Sequence, residues 1–109
     1  MTLYSENSKL NGECYIDSAS PNRIWEAEDR NEIHYMSDTN DLETCRAFCT
    51  DRSYKYFGVQ AGMWCYCGPT VPLSSLRTSS SECSLACPGN SAQICGEQWR
   101  MNIYSTDLH

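Results

Sequence analysis

Eight cysteines are the residues of this chain whose types and spacing most clearly predict chemistry. A cysteine can form a disulfide, bind a metal ion or act as a nucleophile. An even number in a chain of 109 residues is typical of a disulfide framework, which forms in oxidising compartments. We therefore expect four disulfides, no free thiol nucleophile and a secreted or cell-surface location. The cysteines stand at positions 14, 45, 49, 65, 67, 83, 87 and 95.

Zinc binding is the competing explanation for so many cysteines. Structural zinc sites bring closely spaced cysteine pairs onto one ion, often together with histidine. The chain has no C-x-x-C pair, Cys65 and Cys67 are separated by one residue, and His34 and His109 have no partner nearby in the sequence. We expect neither a metal site nor any other cofactor.

The charge balance narrows the class of partner. The chain has 8 basic and 14 acidic residues, a net charge of −6, and its basic residues are scattered singly. Nucleic acids and anionic membrane surfaces bind clustered positive charge, so both are poor partners. No stretch approaches the roughly 18 apolar residues of a membrane span, so we expect no direct membrane insertion.

The length fits one domain, which we expect to be a monomer as an isolated module. Polar residues without periodicity predict a tail at 1–11, a domain at 12–105 and a second tail at 106–109. No positively charged start followed by an apolar segment marks a signal peptide. We therefore expect a module excised from a longer ectodomain, with Met1 added for expression.

A helix positions two of the cysteines. Asn40 and Glu43 have the spacing of a capping box and predict a helix over about 41–51. Apolar residues recur on one side of that helix, so this face should enter the core with two sulfur atoms one turn apart. The residues on this face are Leu42, Cys45, Phe48 and Cys49.

A hairpin positions two more of the cysteines. Aromatic and β-branched runs at 54–60 and 63–67 flank Ala61 and Gly62, a pattern that predicts two paired strands. Cys65 and Cys67 must share a strand face because side chains alternate. The helix pair should thus bond the strand pair, although spacing leaves the parallel and crossed pairings both open. Short strands are also expected at 13–17 and at 99–105.

The motifs resemble those of a WSC domain over about residues 12–105. All eight cysteines match the family in spacing. The segments that support the resemblance are Cys14-Tyr15-x-Asp17, Cys45-x-x-x-Cys49, Tyr56-Phe57-Gly58-Val59-Gln60, Cys65-Tyr66-Cys67-Gly68, Cys87-Pro-Gly-Asn, and Cys95-Gly96 followed by Arg100-Met-Asn-Ile-Tyr104.

The resemblance implies an α+β fold of the PAN/apple type, an antiparallel sheet with one helix packed across it. WSC domains occur in fungal cell-wall sensors, in receptors such as Kremen and in secreted carbohydrate-active enzymes. A non-enzymatic module that binds neutral polysaccharide, β-glucan above all, is therefore implied. The implied bonds are Cys14 to Cys83, Cys45 to Cys65, Cys49 to Cys67, and Cys87 to Cys95.

Strand alternation also predicts where a ligand would bind. With Cys65 and Cys67 facing the helix, aromatic residues should gather on the other sheet face around Gly58, where a sugar ring could stack. The alternative is a second small core beneath the loop at 18–38. The candidate residues are Trp64, Tyr66, Tyr56, Tyr54 and Trp25, with amides from Gln60 and Asn102.

Other residues are given structural roles. Trp99 shares strand parity with Met101 and Ile103, so all three are predicted to enter the core. Asp17 and Arg100 are predicted to form an ion pair between the first and last strands. Catalysis has little support, because no paired carboxylates or Ser/His/Asp set can be proposed. Protein recognition in a receptor ectodomain and a purely structural spacer remain the alternatives to polysaccharide binding.

Overall fold

A computed structural model describes residues 9–18, 24–25 and 33–107. Within these ranges, one helix packs on a five-stranded antiparallel sheet, and a two-stranded ribbon lies beside it. The α+β fold class is confirmed. The elements are β1 (Asn11–Ile16), β2 (His34–Met36), α1 (Leu42–Asp51), β3 (Tyr56–Gln60), β4 (Trp64–Gly68), β5 (Ala86–Cys87), β6 (Asn90–Ile94) and β7 (Arg100–Ser105), with short 3-10 turns at Ser74–Leu76 and Ser80–Glu82.

The large sheet has the strand order β1-β7-β3-β4-β2. The predicted hairpin forms its centre, where Phe57 pairs with Cys67 and Val59 pairs with Cys65. Because paired residues in an antiparallel ladder point to the same side, these four side chains form one sheet face. All four are fully buried against the helix.

Helix α1 is bonded to that face by two disulfides. Cys45 joins Cys65 and Cys49 joins Cys67, which is the parallel pairing that the resemblance implied. The other two bonds are also confirmed, Cys14 to Cys83 and Cys87 to Cys95, and no cysteine is free. The sulfur atoms of Cys45, Cys49 and Cys65 lie within 4.8 Å of one another, but each belongs to a disulfide and offers no thiolate to a metal ion.

The helix begins one residue later than the capping pattern predicts. Asp41 is the N-cap, and its side chain accepts a hydrogen bond from the Thr44 amide at 2.8 Å. Asn40 is fully buried instead: Oδ1 accepts from the Tyr35 hydroxyl at 2.6 Å, and Nδ2 donates to the Gly62 carbonyl at 3.3 Å. Asn40 therefore ties β2 and the β3–β4 turn to the start of the helix.

The opposite sheet face bears a second apolar core. Trp25 is fully buried there, and its Nε1 donates to the Thr70 carbonyl at 2.9 Å. The ring occupies the space beside Gly68 on β4, and the side chain of Met101 fills the space beside Gly58 on β3. The other members of this cluster are Leu10, Tyr15, Ile24, Tyr56, Tyr66, Met101 and Ile103.

Both ends of the described chain lie against the sheet. Leu10 is buried, and its carbonyl accepts from the Ser105 amide at 2.9 Å. Thr106 is buried as well, and its amide donates to the Lys55 carbonyl at 2.9 Å. Most of the predicted tails and of the loop at 18–38 lies outside the described residues, and the domain boundaries stay predictions.

Candidate functional site

An open groove lies at the end of the β3–β4 hairpin, and we call it the first groove. Its volume is about 530 Å³. Small-molecule sites are commonly about 300–1,000 Å³ and combine apolar walls with a few polar groups. The first groove is lined by His34, Gln60, Ala61, Trp64, Tyr66, Leu85, Glu97, Gln98 and Trp99.

Three aromatic rings on neighbouring strands form one wall. His34 on β2 pairs with Tyr66 on β4, and their ring centroids lie 5.4 Å apart. Trp64 stacks on Tyr66 with a centroid distance of 6.0 Å and an interplanar angle of 16°, and it lies 5.7 Å from His34. Tyr66 is almost fully buried, whereas Trp64 is partly exposed and His34 is exposed. Trp64 and His34 therefore provide most of the accessible ring surface of this wall.

The other wall is a two-residue turn between Glu97 and Arg100. The Glu97 amide donates to the Arg100 carbonyl at 3.0 Å, and the Arg100 amide donates to the Glu97 carbonyl at 2.9 Å. Trp99 in this turn has a φ of 58° and is 40% exposed. A bulky side chain in left-handed backbone costs about 1–2 kcal/mol. The fold thus tolerates an unfavourable conformation that leaves an indole at the surface.

Gly96 brings this turn against the end of β3. A Cβ at Gly96 would lie 2.5 Å from the Val59 carbonyl oxygen and 2.7 Å from the Gln60 Cα, so no side chain fits. The Gly96 amide donates to Asn102 Oδ1 at 2.8 Å, and Asn102 Nδ2 donates to the Gly12 carbonyl at 2.9 Å. Asn102 is therefore a buried brace for the turn, and the prediction that its amide faces a ligand is wrong.

Polar groups of the first groove come from Gln60 and Glu97. Gln60 is 6% exposed, and its Oε1 has no hydrogen-bond partner among the described residues. An unpaired buried amide oxygen costs about 1–3 kcal/mol, so a donor hydroxyl near Gln60 would be favourable. The half-buried Glu97 accepts from Ser84 Oγ at 3.2 Å and from the Gln98 amide at 3.2 Å. Among the described residues that line the groove, neither lysine nor arginine occurs.

The five aromatic residues predicted to bind a ligand lie in three different places in the structure. Trp64 and an edge of Tyr66 line the first groove. Tyr56 and Trp25 belong to the second core. For these two residues the alternative prediction of a second small core is therefore the one that the structure supports. Tyr54 precedes β3 and packs with the disulfide cluster on the helix side of the sheet. The prediction of a broad exposed aromatic face around Gly58 is therefore wrong, because the side chain of Met101 fills the space beside that glycine and Trp25 packs next to it.

The groove also contains residues that the sequence reasoning missed. Trp99 was assigned to the core because an alternating strand from 99 would bury it with Met101 and Ile103. Strand β7 begins at Arg100, however, and Trp99 belongs to the preceding turn. His34, Glu97 and Gln98 had no predicted role. Gly96, which directly precedes Glu97 and Gln98, is a turn signal that could have indicated this wall.

The predicted ion pair between Asp17 and Arg100 is also wrong. Arg100 Nε donates to Glu82 Oε1 at 2.5 Å, and this hydrogen bond lowers the pKa of the Glu82 carboxyl. Asp17 Oδ1 instead accepts from the backbone amides of Ser18 at 2.9 Å and Ile24 at 3.0 Å. Asp17 thus links the end of β1 to Ile24, the neighbour of Trp25.

Comparison with known proteins identifies relatives. The family model of the WSC domain matches residues 11–97. The chain is 31% identical over 94 residues to a "WSC domain-containing protein" of the fungus Arthroderma benhamiae, covering 86% of this chain and 12% of that protein. It is 37% identical over 73 residues to "Xylosyltransferase oxt" of Drosophila pseudoobscura pseudoobscura, covering 67% of this chain and 8% of the relative. It is 28% identical over 96 residues to "Kremen protein 2" of Mus musculus, covering 87% of this chain and 20% of the relative.

These matches are confined to a small part of each relative, from 8% to 20% of its length. Whatever the relatives do as whole proteins therefore involves much sequence that has no counterpart in the 109 residues here. In the described ranges, no helix is long and apolar enough to cross a membrane.

Proposed function

Because the chain belongs to the WSC domain family, we propose that it is a non-enzymatic extracellular module that binds neutral polysaccharide in the first groove, with β-glucan as the preferred class. The observation that supports this most directly is the exposed indole of Trp99, held in left-handed backbone on a groove whose other wall contains Trp64. Backbone strain of this kind is found disproportionately at ligand sites.

Sugar rings match the chemistry of the groove. The axial C–H groups of a pyranose stack on the electron-rich faces of aromatic rings, and sugar hydroxyls both donate and accept hydrogen bonds. Trp64, Trp99 and His34 supply ring surface, while Gln60 and Gln98 supply amides on the same groove. The combination of ring surface and amides favours a ligand that is amphipathic and rich in hydroxyl groups.

Charge favours an uncharged sugar. Glu97 is a carboxylate on the groove, and no lysine or arginine lines it within residues 9–18, 24–25 and 33–107. A uronic acid or sulfated glycan would bring its negative charge close to Glu97, inside a protein of net charge −6. Neutral glucans avoid this repulsion.

The same residues favour binding without catalysis. Glycoside hydrolysis usually requires two carboxyl groups on either side of the scissile bond. In the part of the chain that the structure describes, Glu97 is the sole carboxylate that lines the first groove. The disulfides leave no thiol as a nucleophile either. The four disulfides also favour an oxidising, extracellular setting.

The experiment is sedimentation with insoluble β-glucan. We expect the unmodified protein to co-sediment, and Trp99→Ala and Trp64→Ala each to weaken binding about tenfold, since tenfold corresponds to about 1.4 kcal/mol. Leu73→Ala is the matched control, because Leu73 is 71% exposed and lies outside the groove. Equal binding by all four proteins, or no binding by the unmodified protein to β-glucan or chitin, would show that the groove is not a polysaccharide site.

A protein partner in a receptor ectodomain is the second candidate function. Trp99 and Leu85 are both exposed on the first groove, and exposed tryptophan is enriched among residues that dominate protein interfaces. The relative named Kremen protein 2 agrees with this possibility. Absence of polysaccharide binding, together with a partner interaction that Trp99→Ala removes, would favour it over the first candidate.

A further inference from the structure

A second groove lies on the other side of the Glu97–Arg100 turn. Its volume is about 550 Å³. Glu97, Gln98 and Trp99 line both grooves, so the turn forms a ridge between them. Beyond these shared residues, the second groove is lined by Ser81, Glu82, Ser84 and Arg100. The two cavities are therefore neighbours with one common wall.

The second groove contains an ordered polar pair. Arg100 Nε donates to Glu82 Oε1, and Arg100 Nη1 donates to the Trp99 carbonyl at 2.9 Å. Glu82 Oε2 accepts from Thr78 Oγ1 at 2.9 Å, so both ends of the pair are held in place. A guanidinium has five N–H donors, and these contacts use two of them. The Arg100 side chain is 30% exposed, so its remaining donors are accessible from the groove.

We propose that the second groove is a second sugar subsite, and that the module binds the interior of an extended polysaccharide chain that crosses the ridge at Trp99. This inference rests on the proposed function, because it requires a sugar in the first groove. A ligand that spans both grooves contacts Trp99 between them and reaches the Glu82–Arg100 pair with its next hydroxyl groups.

The charges of the second groove support the same ligand class. Arg100 contributes one positive charge against the carboxylates of Glu82 and Glu97, and Arg100 is already paired with Glu82. An anionic sugar therefore gains no unpaired cation in either groove. Vicinal hydroxyls of a neutral sugar, by contrast, fit a carboxylate that accepts and a guanidinium that donates side by side.

Chain length is the property that distinguishes two subsites from one. A single groove saturates with a short oligosaccharide, whereas two linked subsites gain affinity when one ligand reaches both. We therefore expect calorimetric titration with soluble β-1,3-glucan oligosaccharides to show at least about a tenfold gain in affinity from disaccharide to hexasaccharide. Equal affinity for both lengths would overturn the second subsite.

Filling the second groove tests its position. Ser81 is exposed and lines the second groove but not the first, so Ser81→Phe should lower hexasaccharide affinity to the disaccharide level and leave disaccharide binding unchanged. Ser84→Phe is the second filling variant and should lower hexasaccharide affinity as well, although it also removes the hydrogen bond from Ser84 Oγ to Glu97. Ser75→Phe is the matched control, because Ser75 is exposed and lies outside both grooves.

The two proposals fail in different ways. If both filling variants bind hexasaccharide as the unmodified protein does, while Trp64→Ala weakens binding about tenfold, the second subsite is wrong and the first groove stands. If neither oligosaccharide binds the unmodified protein, or if Trp64→Ala has no effect on either length, polysaccharide binding in the first groove is wrong as well.

Discussion

The indole of Trp25 lies so close to Gly68 that a Cβ on this glycine would be 1.9 Å from Trp25 Cε2. The contact joins the chain segment after β1 to the end of β4. Together with Met101, whose side chain fills the space beside Gly58, the ring closes the sheet face opposite the helix. Tyr56 and Tyr66 are consequently core residues, and we propose that ligand contact occurs at the hairpin end where Trp64 lies.

Gly68→Ala should therefore destabilise the protein. Overpacking a filled core costs about 1–3 kcal/mol, and here the new methyl group would meet a fully buried ring. Urea unfolding measures the loss in the free energy of unfolding. In a double-mutant cycle, the cost of Gly68→Ala should largely disappear in the Trp25→Ala background. An equal cost in both backgrounds would mean that Trp25 does not lie against Gly68.

Much of the fold could be predicted because it depends on short-range periodicity. The turn spacing of Cys45 and Cys49 and the alternation of Cys65 and Cys67 place four sulfur atoms between helix and sheet, and the structure has them there. The parallel pairing needed the family resemblance, since either pairing satisfies the spacing.

The parts that could not be predicted depend on tertiary contacts. Trp25 lies in a segment without periodicity, so nothing local indicated that it fills the space beside Gly68. Trp99 was misassigned because alternation was extended one residue too far, into a turn with positive φ. Asn40 and Asp41 are both good capping residues, and the choice between them is made by Tyr35, whose hydroxyl bonds Asn40.

The bond between Tyr35 and Asn40 provides a second stability prediction. Tyr35→Phe removes the donor and leaves Asn40 Oδ1 without its 2.6 Å hydrogen bond inside the protein. A buried acceptor left without its partner costs about 1–3 kcal/mol. We expect a loss of this size in the free energy of unfolding, measured in urea at neutral pH. An unchanged stability would show that Asn40 finds another donor.

The same tyrosine gives a pH prediction. Burial, assisted by the negative charge of Asp41, raises the pKa of Tyr35 to about 12 from its ordinary value of 10.0. The pKa of Tyr35 is higher in the folded protein than in the unfolded chain. The contribution of the protonated Tyr35 hydroxyl to stability is therefore complete below pH 10 and is lost as the pH rises towards about 12. The difference between the absorbance titrations of the unmodified protein and Tyr35→Phe should report a group titrating near pH 12. A difference centred at pH 10 would contradict the buried position.

The disulfides should differ in what they contribute. Cys14 and Cys83 are 69 residues apart, whereas Cys87 and Cys95 are 8 apart. In the chain-entropy description, the long loop closed by Cys14–Cys83 corresponds to about 4.4 kcal/mol of unfolding free energy, and the short loop closed by Cys87–Cys95 to about 2.6 kcal/mol. Paired Cys→Ala variants should therefore show the larger loss of unfolding free energy for Cys14–Cys83. The reverse order would mean that strain or native packing outweighs loop length.

At position 99, glycine should be more stabilising than alanine. Left-handed backbone favours glycine over any residue with a Cβ, so Trp99→Gly should be more stable than Trp99→Ala by about 1 kcal/mol. Both variants should weaken polysaccharide binding to the same extent, about tenfold, because both lack the indole. Thermal unfolding and sedimentation compare the two. A more stable alanine variant would indicate that the turn does not hold Trp99 at positive φ.

The three indole N–H groups give the most direct test of the binding site. Heteronuclear NMR resolves one signal for each tryptophan, and soluble β-1,3-glucan oligosaccharide can be titrated into the protein. We expect the signals of Trp64 and Trp99 to shift, and that of Trp25 to stay in place, because its Nε1 is bonded to the Thr70 carbonyl within the second core. Shifts confined to Trp25, or no shift in any indole at saturating oligosaccharide, would contradict a polysaccharide site between Trp64 and Trp99.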